Sequence, residues 1–531
     1  MNNETLWNNI RTNSCQAEKE IESLTKKRTG SYYTDLYLTD VMMFELVSRL
    51  DMKLKKIYDF TFLEPCVGSG NFVFSYIKAV RNMIRTQEEA KKLINNIYVV
   101  DINKQALGFY KKSLQLIVYD YWGIALDDAY FDSHIASGLV FDMSKDKIEY
   151  INIDDVFANK RFDIIATNPP YKNLKAEINQ YKRKADYNSD KEKYRDIAKI
   201  VKNNFKYSNT GVLNLYKIFI EEILEKYSNS NSFISLLVPS SLLADKSCEK
   251  LRTNILTNNF LHSVKIIQEN NKFVNAKQAL CSLLISKTKK TKTIDIVTDF
   301  CNKPNEKISV EIKNIINKNN GNAIIAISKN DFLTLDKLRK FPSVKDLDFI
   351  INSRGELDLT ADRKYFNEIK NGIPLVRGRD IGLFSLKEKG TINYVSQDFI
   401  KKTQKKEYIK CGRIACQQIA NIHKDRRVIF AYIPANYILA NSCNFIYITP
   451  NKYNIDSYSI LGLFNSKIIN WLFKLTSTNN HINNYEIDNF PVPINSKFLE
   501  QISKKTKKYL ETKNDKLLDE IEKLSILAYE L

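Results

Sequence analysis

From about residue 30 to residue 285, short β-branched or aromatic runs alternate regularly with longer amphipathic stretches. Such an alternation is typical of βαβ units, in which helices connect neighbouring strands of a parallel sheet. The strand patterns lie at residues 57–63, 96–100, 162–167, 232–238, 263–268 and 279–286. The helical patterns lie at residues 71–85, 104–119, 214–227 and 247–257. The sequence therefore predicts an α/β fold.

The length of 531 residues predicts more than one domain, because single hydrophobic cores rarely grow beyond about 250–300 residues. The α/β pattern ends in a basic run near Lys292, and the sequence becomes irregular near residues 320–335. We predict an α/β domain over residues 1–325, a mixed α+β domain over 326–495 and a helical tail over 496–531. Residues 172–207 form a basic insertion, interpreted either as a solvated charged helix or as a flap that holds phosphates.

The charge balance favours a polyanionic partner. Lysine and arginine outnumber aspartate and glutamate by 81 to 61, which gives a formal net charge of +20. A surplus of this size is the usual electrostatic signature of nucleic-acid binding. An A+T-rich genome, which inflates lysine content, explains the same surplus without DNA binding. Charge alone therefore leaves both interpretations open.

The cysteines and the hydropathy pattern indicate the cellular compartment. The 8 cysteines follow no disulfide framework, so they are interpreted as reduced thiols. Cys411, Cys416, His423 and Cys443 match no common zinc spacing, and we expect no metal. The first 30 residues do not resemble a signal peptide, and no apolar run could span a bilayer. We therefore expect a cytoplasmic protein without membrane contacts.

A glycine-containing loop, Glu64 to Phe72, lies where a predicted strand meets a predicted helix. Gly68 and Gly70 would let the backbone approach a ligand closely, and the helix would offer free N–H groups. The next predicted strand ends in Asp101 at the same edge of the sheet, where its carboxylate could accept hydrogen bonds from two ribose hydroxyls. A simple tight turn for the loop, and a helix cap for Asp101, are the alternative interpretations.

A buried-type strand at residues 162–167 runs directly into Asn168-Pro169-Pro170-Tyr171. The two prolines end the strand and fix the backbone, so that the Asn168 side chain and the Pro169 carbonyl point at one place. Two acceptors there would bind the protons of the adenine amino group and aim its nitrogen lone pair at a sulfonium methyl group. Tyr171 would stack on a base extruded from the duplex. The alternative is a turn with a surface tyrosine.

The order of these motifs resembles the gamma, or TaqI-like, group of adenine-N6 DNA methyltransferases of type II restriction-modification systems. The resemblance implies a Rossmann-like class I methyltransferase domain that uses S-adenosylmethionine, followed by a target-recognition domain. The element at residues 28–40 is similar to the amino-terminal cofactor motif of that group, although Asp35 stands where proline is usual. The resemblance implies cofactor contacts from Tyr33, Thr34, Glu64, Cys66, Gly68, Gly70, Asn71, Phe72, Asp101, Ile102, Asp155 and Val156, with Asp154 as the alternative to Asp155.

The resemblance also assigns residues that bind the target base and the DNA. Phe273 is expected to form the second aromatic wall around the flipped base, unless its ring belongs to the core. Residues 372–381 and 465–493 resemble the target-recognition domain, in which Arg and Lys read guanine and Asn and Gln read adenine. The predicted DNA contacts are Arg377, Arg379, Arg413, Gln417, Asn421, Lys424, Arg426, Arg427, Asn479 and His481. For each of these residues taken alone, a phosphate contact or a structural role is the alternative.

The resemblance thus implies an enzyme that methylates adenine within a short sequence of double-stranded DNA. It also implies a monomer, with a separately encoded cognate restriction endonuclease as its functional partner. Two alternatives remain open. Asn-Pro-Pro-Tyr also occurs in methyltransferases of RNA and of protein amides, and a non-catalytic DNA-recognition subunit would share the charge and the second domain.

Overall fold

The alternating pattern folds into a mostly parallel sheet flanked by helices. The computed structural model describes residues 3–20, 34–136, 141–142, 149–150, 157–176, 183–269, 271, 273–274, 278–298, 300, 307–316, 321–324, 329–366, 371–387, 393–421, 424–477 and 480–531. Two compact units divide the chain, Met1–Ala326 and Ile327–Leu531. Following the roles that the resemblance implies, we call the first the catalytic unit and the second the specificity unit. None of the described helices is both long and apolar enough to cross a membrane.

The catalytic unit contains eleven of the described strands. They are β1 Phe62–Glu64, β2 Ile97–Val100, β3 Ile135–Ala136, β4 Phe141–Asp142, β5 Glu149–Tyr150, β6 Phe162–Thr167, β7 Ser228–Pro239, β8 Phe260–Ile267, β9 Leu280–Ser286, β10 Thr293–Val297 and β11 Lys307–Glu311. Its described α-helices are Asn3–Glu20, Leu36–Arg49, Asn71–Val80, Gln87–Ile94, Lys104–Trp122, Asp128–His134, Lys184–Asn204, Leu215–Glu222, Ser241–Ala244, Glu249–Thr257 and Ile312–Ile315.

Nine of these strands form one sheet in the order β11-β10-β8-β9-β7-β6-β1-β2-β3. The pairs β2–β3, β1–β2, β1–β6 and β6–β7 are parallel, whereas β9 runs antiparallel to both β7 and β8. Every residue of β6 is buried, as expected for a strand covered on both faces. The predicted fold class, α/β with a Rossmann-like parallel sheet, is confirmed.

Several element boundaries differ from the sequence pattern. The strand predicted at 57–63 begins only at Phe62, because Ile57–Asp59 form a 3₁₀ turn and Asp163 binds the backbone N–H of Thr61 at 2.8 Å. The helix predicted at 71–85 ends at Val80. The basic insertion contains a helix, Lys184–Asn204, whose apolar face packs into a small cluster with the helix Leu215–Glu222. Its remaining face is charged and exposed, as the solvated-helix interpretation expects.

The amino-terminal helix Asn3–Glu20 was not expected from the sequence. It buries Leu6, Ile10 and Ser14, which lie one helical turn apart on a single face. Trp7 on the same helix donates a hydrogen bond from its ring nitrogen to the hydroxyl of Tyr121 at 3.0 Å. The spacing of Leu6, Ile10 and Ser14 was the signal that would have predicted it.

The specificity unit combines two small sheets with helices. Its strands are β12 Ile350–Arg354, β13 Ile373–Val376, β14 Asn393–Val395, β15 Arg413–Gln417, β16 Phe430–Ile433, β17 Ile438–Leu439 and β18 Cys443–Ile448, in the orders β12-β18-β15-β16 and β14-β13-β17. Its α-helices are Lys329–Leu338, Asp398–Lys402, Lys406–Ile409, Ser457–Phe464, Lys467–Thr476, Asn484–Ile487, Leu499–Thr512 and Lys516–Ala528. The last two helices pack on Ser457–Phe464, where a Cβ atom at Gly462 would meet Ile502 at 2.4 Å. The predicted mixed α+β architecture of this region is confirmed.

A buried histidine on β8 gives the catalytic unit a pH-dependent stability. His262 is buried, and its Nε2 lies 2.9 Å from the hydroxyl of Ser286. Burial, together with the positive charges of Arg49 and Lys289, lowers the pKa of His262 to about 4. The folded protein therefore keeps this ring neutral at pH values where an exposed histidine carries a proton.

We expect His262→Gln to reduce the loss of stability between pH 7 and pH 5. An unfolded histidine binds its proton near a pKa of about 6.5. The stabilisation from neutral His262 is therefore complete above that pH and is lost as the pH falls towards the folded-state pKa. The melting temperature of the wild type should fall by roughly 2–4 °C more than that of the variant. Equal shifts for the two proteins would contradict this assignment.

Candidate functional site

The candidate site lies at the carboxyl edge of three parallel strands. Phe62 at the start of β1 pairs with Ile97 on β2 and with Ile164 on β6, so the three strands end at the same edge. The loop after β1, Asp101 after β2 and Asn168 after β6 are therefore brought together. This is the edge at which open α/β sheets bind their ligands.

The loop after β1 depends on two glycines. Gly68 and Gly70 have φ values of +53° and +102°, which residues with side chains rarely adopt. A Cβ atom at Gly70 would lie 2.5 Å from the ring of Phe74 and 2.6 Å from that of Tyr110. The backbone N–H of Gly68 donates to Oδ2 of Asp101 at 2.7 Å, which ties the loop to the end of β2.

The Asp101 carboxylate is fixed by the backbone. Its Oδ1 accepts from the N–H of Asn103 at 2.8 Å, and Asn103 is the residue that caps the helix Lys104–Trp122. Burial raises the pKa of Asp101, and the N–H groups of Asn103 and Gly68 oppose that rise. Each carboxylate oxygen can accept more than one hydrogen bond, so both retain capacity for a ligand hydroxyl. The helix-cap interpretation thus applies to Asn103.

Two buried acceptors beside this loop have no donor among the residues that the structure describes. They are Oε2 of Glu64, whose side chain is 2% exposed, and Oδ1 of Asn71. Burial raises the pKa of Glu64 well above its ordinary value, and the charge of Asp101 adds to the rise. Unsatisfied buried acceptors are costly. A ligand that donates hydrogen bonds or carries an ammonium group would satisfy them.

Thr34 connects the cofactor loop to the tetrapeptide. Its backbone carbonyl accepts from Nδ2 of Asn71 at 2.6 Å, and its hydroxyl accepts from Nδ2 of Asn168 at 3.0 Å. Asn71 also donates to the hydroxyl of Ser14 at 3.0 Å, and that hydroxyl lies 2.8 Å from the hydroxyl of Ser69. Ser14 is therefore a site residue that sequence reasoning missed.

Phe72, Ile102 and Cys66, which also belong to the predicted cofactor set, differ from one another in burial and in electrostatic environment. Phe72 is 2% exposed and packs within the hydrophobic core, so its ring does not face an open site. Ile102 is half-buried at the edge of the sheet. Burial raises the pKa of the Cys66 thiol, and the charges of Asp101 and Glu64 raise it further, so Cys66 is poorly suited to act as a nucleophile.

The amide of Asn168 is held from both sides. Nδ2 donates to the hydroxyl of Thr34, while Oδ1 accepts from the hydroxyl of Tyr171. The Tyr171 hydroxyl also lies 3.1 Å from the carbonyl of Leu237 on β7. Pro169 is buried and Pro170 is half-buried, so the tetrapeptide packs into the unit and does not protrude from it. It is therefore not an exposed turn with a surface tyrosine.

Phe273 belongs to the core in this structure, which corrects the prediction of an open stacking face. Its ring is 6% exposed and stacks on Tyr37 at a centroid distance of 5.6 Å, with Phe300 6.2 Å away. Its backbone carbonyl accepts from the N–H of Asp35 at 2.8 Å. Phe273 thus supports the segment that carries Thr34. Among these three rings, the exposed one is that of Tyr37.

The predicted residues Tyr33, Asp154, Asp155, Val156 and Asn479 lie outside the described residues. His423, considered with the cysteines at 411, 416 and 443, also lies outside them. Across the described part of the chain, no group of three or more His, Cys, Asp or Glu side chains is placed to hold a metal ion.

Two family models match the sequence. Residues 95–273 match the Eco57I restriction-modification methylase, a range that includes Asp101 and the tetrapeptide. Residues 373–492 match the TaqI-like C-terminal specificity domain. The chain belongs to the restriction-modification DNA methyltransferases. The family predicted from the order of the motifs is thus confirmed. No curated relative matches the sequence at a significant level.

Solved structures with the same fold include restriction-modification enzymes. The type IIL enzyme MmeI, solved in complex with DNA, shares 14% identity at a TM-score of 0.60, over 98% of this chain and 79% of that one. The type ISP enzyme LlaBIII, bound to DNA, shares 12% identity at a TM-score of 0.54, and the match covers 90% of this chain and 40% of LlaBIII. The protein of the DrdV–DNA complex shares 11% identity at a TM-score of 0.53, and the match covers 94% of this chain and 59% of that one. At these identities the similarity is one of fold.

Three predicted DNA contacts of this methyltransferase lie inside the specificity unit, which corrects the predictions for them. Arg413 is fully buried and donates to Glu356 Oε1 at 2.8 Å. Arg427 is 2% exposed and donates to the carbonyl of Ser477 at 2.7 Å. Gln417 is 9% exposed and donates to the Arg427 carbonyl at 3.3 Å. These hydrogen bonds are all made within the specificity unit.

The remaining described candidates lie at or near the surface of the specificity unit. Arg379, Asn421, Lys424 and His481 are exposed, and Arg377 is half-buried. Arg426 is also half-buried, and its guanidinium donates to the carbonyl of Asn465. Two of the exposed residues lie close together, because Asn421 follows Ile419, which forms an isolated β-bridge with His481. Sequence alone gave no way to separate them from the buried three.

Proposed function

We propose that this methyltransferase transfers a methyl group from S-adenosylmethionine to the N6 amine of an adenine flipped out of double-stranded DNA. The observation that supports this most directly is the Asn168 amide, held by Thr34 at the carboxyl end of β6. Through Thr34 it is linked to Asn71 at the end of the glycine loop, and Gly68 of that loop binds the Asp101 carboxylate. The Asn168 amide, which could accept a hydrogen bond from an amine, is thus connected to the loop whose acceptors could bind a cofactor.

The residues at the sheet edge fit S-adenosylmethionine. Asp101 would accept hydrogen bonds from the ribose hydroxyls, and the buried Glu64 would face the ammonium group of the methionine portion. Gly68 and Gly70 leave space along the loop for the backbone to approach the cofactor. Bound there, the cofactor supplies an electrophilic sulfonium methyl group. The contacts of Tyr33, Asp155 and Val156 remain part of this proposal.

Asn168 would activate the amine by accepting one of its protons in a hydrogen bond. The lone pair of an aromatic amine is delocalised into the ring, and acceptors on its protons favour a tetrahedral nitrogen. Pro169 would supply the second acceptor through its carbonyl. The Tyr171 hydroxyl has one proton and lies near two acceptors, Asn168 Oδ1 and the Leu237 carbonyl. Turning that proton to Leu237 would free Asn168 for the base, while the Tyr171 ring stacks on it.

In the cell, we propose that the enzyme acts as a monomer on a short recognition sequence read by the specificity unit. Methylation would protect host DNA from a separately encoded restriction endonuclease. The net charge of +20 supports a DNA substrate, because Lys and Arg side chains neutralise phosphates and release counterions.

The test is a transfer assay with cofactor carrying a labelled methyl group. Purified protein would be incubated separately with duplex DNA, RNA and a protein mixture, and the DNA would be hydrolysed to nucleosides for mass spectrometry. We expect label in N6-methyladenine from duplex DNA. Label in RNA, in protein, or in a methylated cytosine would replace the proposal with another methyltransferase activity. Absence of label from all substrates would favour a non-catalytic DNA-recognition subunit.

Thr34→Val should lower kcat by roughly five- to a hundredfold, because it leaves the Asn168 amide N–H without its acceptor, at a cost of about 1–3 kcal/mol. The amide would then be free to rotate away from the base. We expect the KM for the cofactor to change little, and Thr34→Ser, which keeps the hydroxyl, to restore activity. Steady-state kinetics with each substrate varied separately would check this. A rise in cofactor KM with unchanged kcat would mean that Thr34 only binds the cofactor.

A further inference from the structure

The specificity unit contains a cavity of about 360 Å³ that we call the arginine cavity. Leu359, Thr360, Arg363, Phe366 and Arg377 line it. Its volume is within the range of about 300–1,000 Å³ that is typical of ligand sites. All five lining residues belong to the specificity unit. The cavity combines two guanidinium groups with an aromatic ring.

Arg377 is oriented for binding. Its guanidinium lies 5.6 Å from the centre of the Phe366 ring, and its Nη2 donates to Oδ1 of Asn393 at 2.9 Å. Its Nε is buried, yet no acceptor for it is found among the residues that the structure describes. A buried donor without an acceptor is costly, and a charged donor the more so. An anionic ligand would supply the missing acceptor.

The cavity also keeps its positive charge. Arg363 is exposed, and within the described ranges no carboxylate forms an ion pair with Arg363 or with Arg377. The nearby acidic side chains are engaged elsewhere. Asp358 accepts from two backbone N–H groups at 2.8 and 2.9 Å, and Asp362 accepts from the ammonium group of Lys402. Two guanidinium groups that have no ion-pair partner among the described residues therefore line one cavity.

We propose that the arginine cavity binds a phosphodiester group of the DNA backbone. This inference rests on the proposed function, because it takes duplex DNA as the substrate. The lining offers guanidinium and hydroxyl donors, which match an anion that only accepts hydrogen bonds. Phosphates project from the duplex and can enter a cavity, whereas base edges lie on the groove floor and are reached by protruding side chains. The cavity thus fixes the register of the DNA without reading its sequence.

The first experiment compares Arg363→Gln with Lys364→Gln. Both variants remove one positive charge from the same short helix, Arg363–Tyr365, but Lys364 does not line the cavity. Binding to an unmodified duplex that contains the sequence the enzyme methylates would be measured over a range of KCl concentrations. The slope of log K against log[KCl] is negative, and we expect Arg363→Gln to reduce its magnitude by about 0.9, as for the loss of one phosphate contact. Lys364→Gln should change it by clearly less.

The second experiment locates the phosphate. Each phosphate of the duplex is replaced in turn by a neutral methylphosphonate, and the binding of the wild type and of Arg363→Gln is measured. We expect one position, or two adjacent ones, at which the replacement weakens wild-type binding but not the binding of the variant. Arg363 is exposed, so the variant should melt like the wild type.

The outcomes separate this site from the proposed function. If the wild type binds DNA but no methylphosphonate position depends on Arg363, the cavity does not hold a phosphate. If Arg363→Gln instead methylates additional sequences with an unchanged salt slope, the cavity reads bases, which also overturns the inference. If the wild type binds no duplex at all, the proposed function itself fails.

Discussion

Asn168→Ala is expected to lower kcat for methyl transfer by at least two to three orders of magnitude, the size of effect seen when one preorganised polar group is removed from an active site (about 10²–10³). The variant loses the acceptor that would bind the amine, while Asp101, Glu64 and the glycine loop stay in place. Cofactor and DNA affinities should therefore remain within a few-fold of the wild type. Single-turnover transfer, together with equilibrium binding of each ligand, would measure this separation.

Asn168→Asp is the matched control for that variant. Aspartate has the same shape and keeps acceptor oxygens, but it cannot donate to the hydroxyl of Thr34 as Asn168 does. We expect its activity to fall between those of the wild type and of Asn168→Ala. Near-wild-type turnover by the alanine variant would remove Asn168 from the mechanism.

Arg413→Ala should destabilise the specificity unit by about 3–5 kcal/mol, because it leaves Glu356 as a buried charge without its partner. Both side chains of this ion pair are fully buried, and Arg413 also donates to the carbonyl of Tyr408 at 2.7 Å. Hydrogen exchange of the amides in β15 and β18 would report the loss within this unit alone. Arg379→Ala, at an exposed site, should change stability by no more than about 0.5 kcal/mol.

The pH dependence of Arg413→Ala provides a second readout. Burial raises the pKa of Glu356, and the charge of Arg413 opposes that rise in the wild type. Without Arg413 the folded-state pKa should rise further above the unfolded value, so the variant gains relative stability as the pH falls and Glu356 is protonated. The stability difference from the wild type should therefore be smaller at pH 5 than at pH 8. Intact stability with weakened, salt-dependent DNA binding would instead return Arg413 to the DNA surface.

Local sequence signals predicted the elements that position the site. The all-buried strand β6, the two prolines after it and the glycines at 68 and 70 each restrict the backbone whatever the rest of the chain does. Because parallel strands end at one edge, the pattern also predicted that Asp101 and the glycine loop lie at the same edge of the sheet. The fold class and the family followed from the same signals.

The roles of individual polar side chains did not follow from local signals. Arg413 meets Glu356 across 57 positions of the chain, and Arg427 meets Ser477 across 50. Nothing in the residues next to an arginine tells whether a distant carboxylate or carbonyl will bury it. Phe273 is similar, since its burial depends on Tyr37 and Phe300. Predictions of surface contacts therefore failed where long-range packing supplied a partner.

The α/β class, the glycine loop and the rigid tetrapeptide could all be predicted before folding was known, because each depends on backbone restrictions that act over a few residues. The folded chain was needed to see that Thr34 holds the amide of Asn168, that Ser14 supports the loop, and which arginines are buried. Those outcomes depend on contacts between segments far apart in the chain. The direction of an amide and the exposure of a charge are set by the neighbours that folding brings.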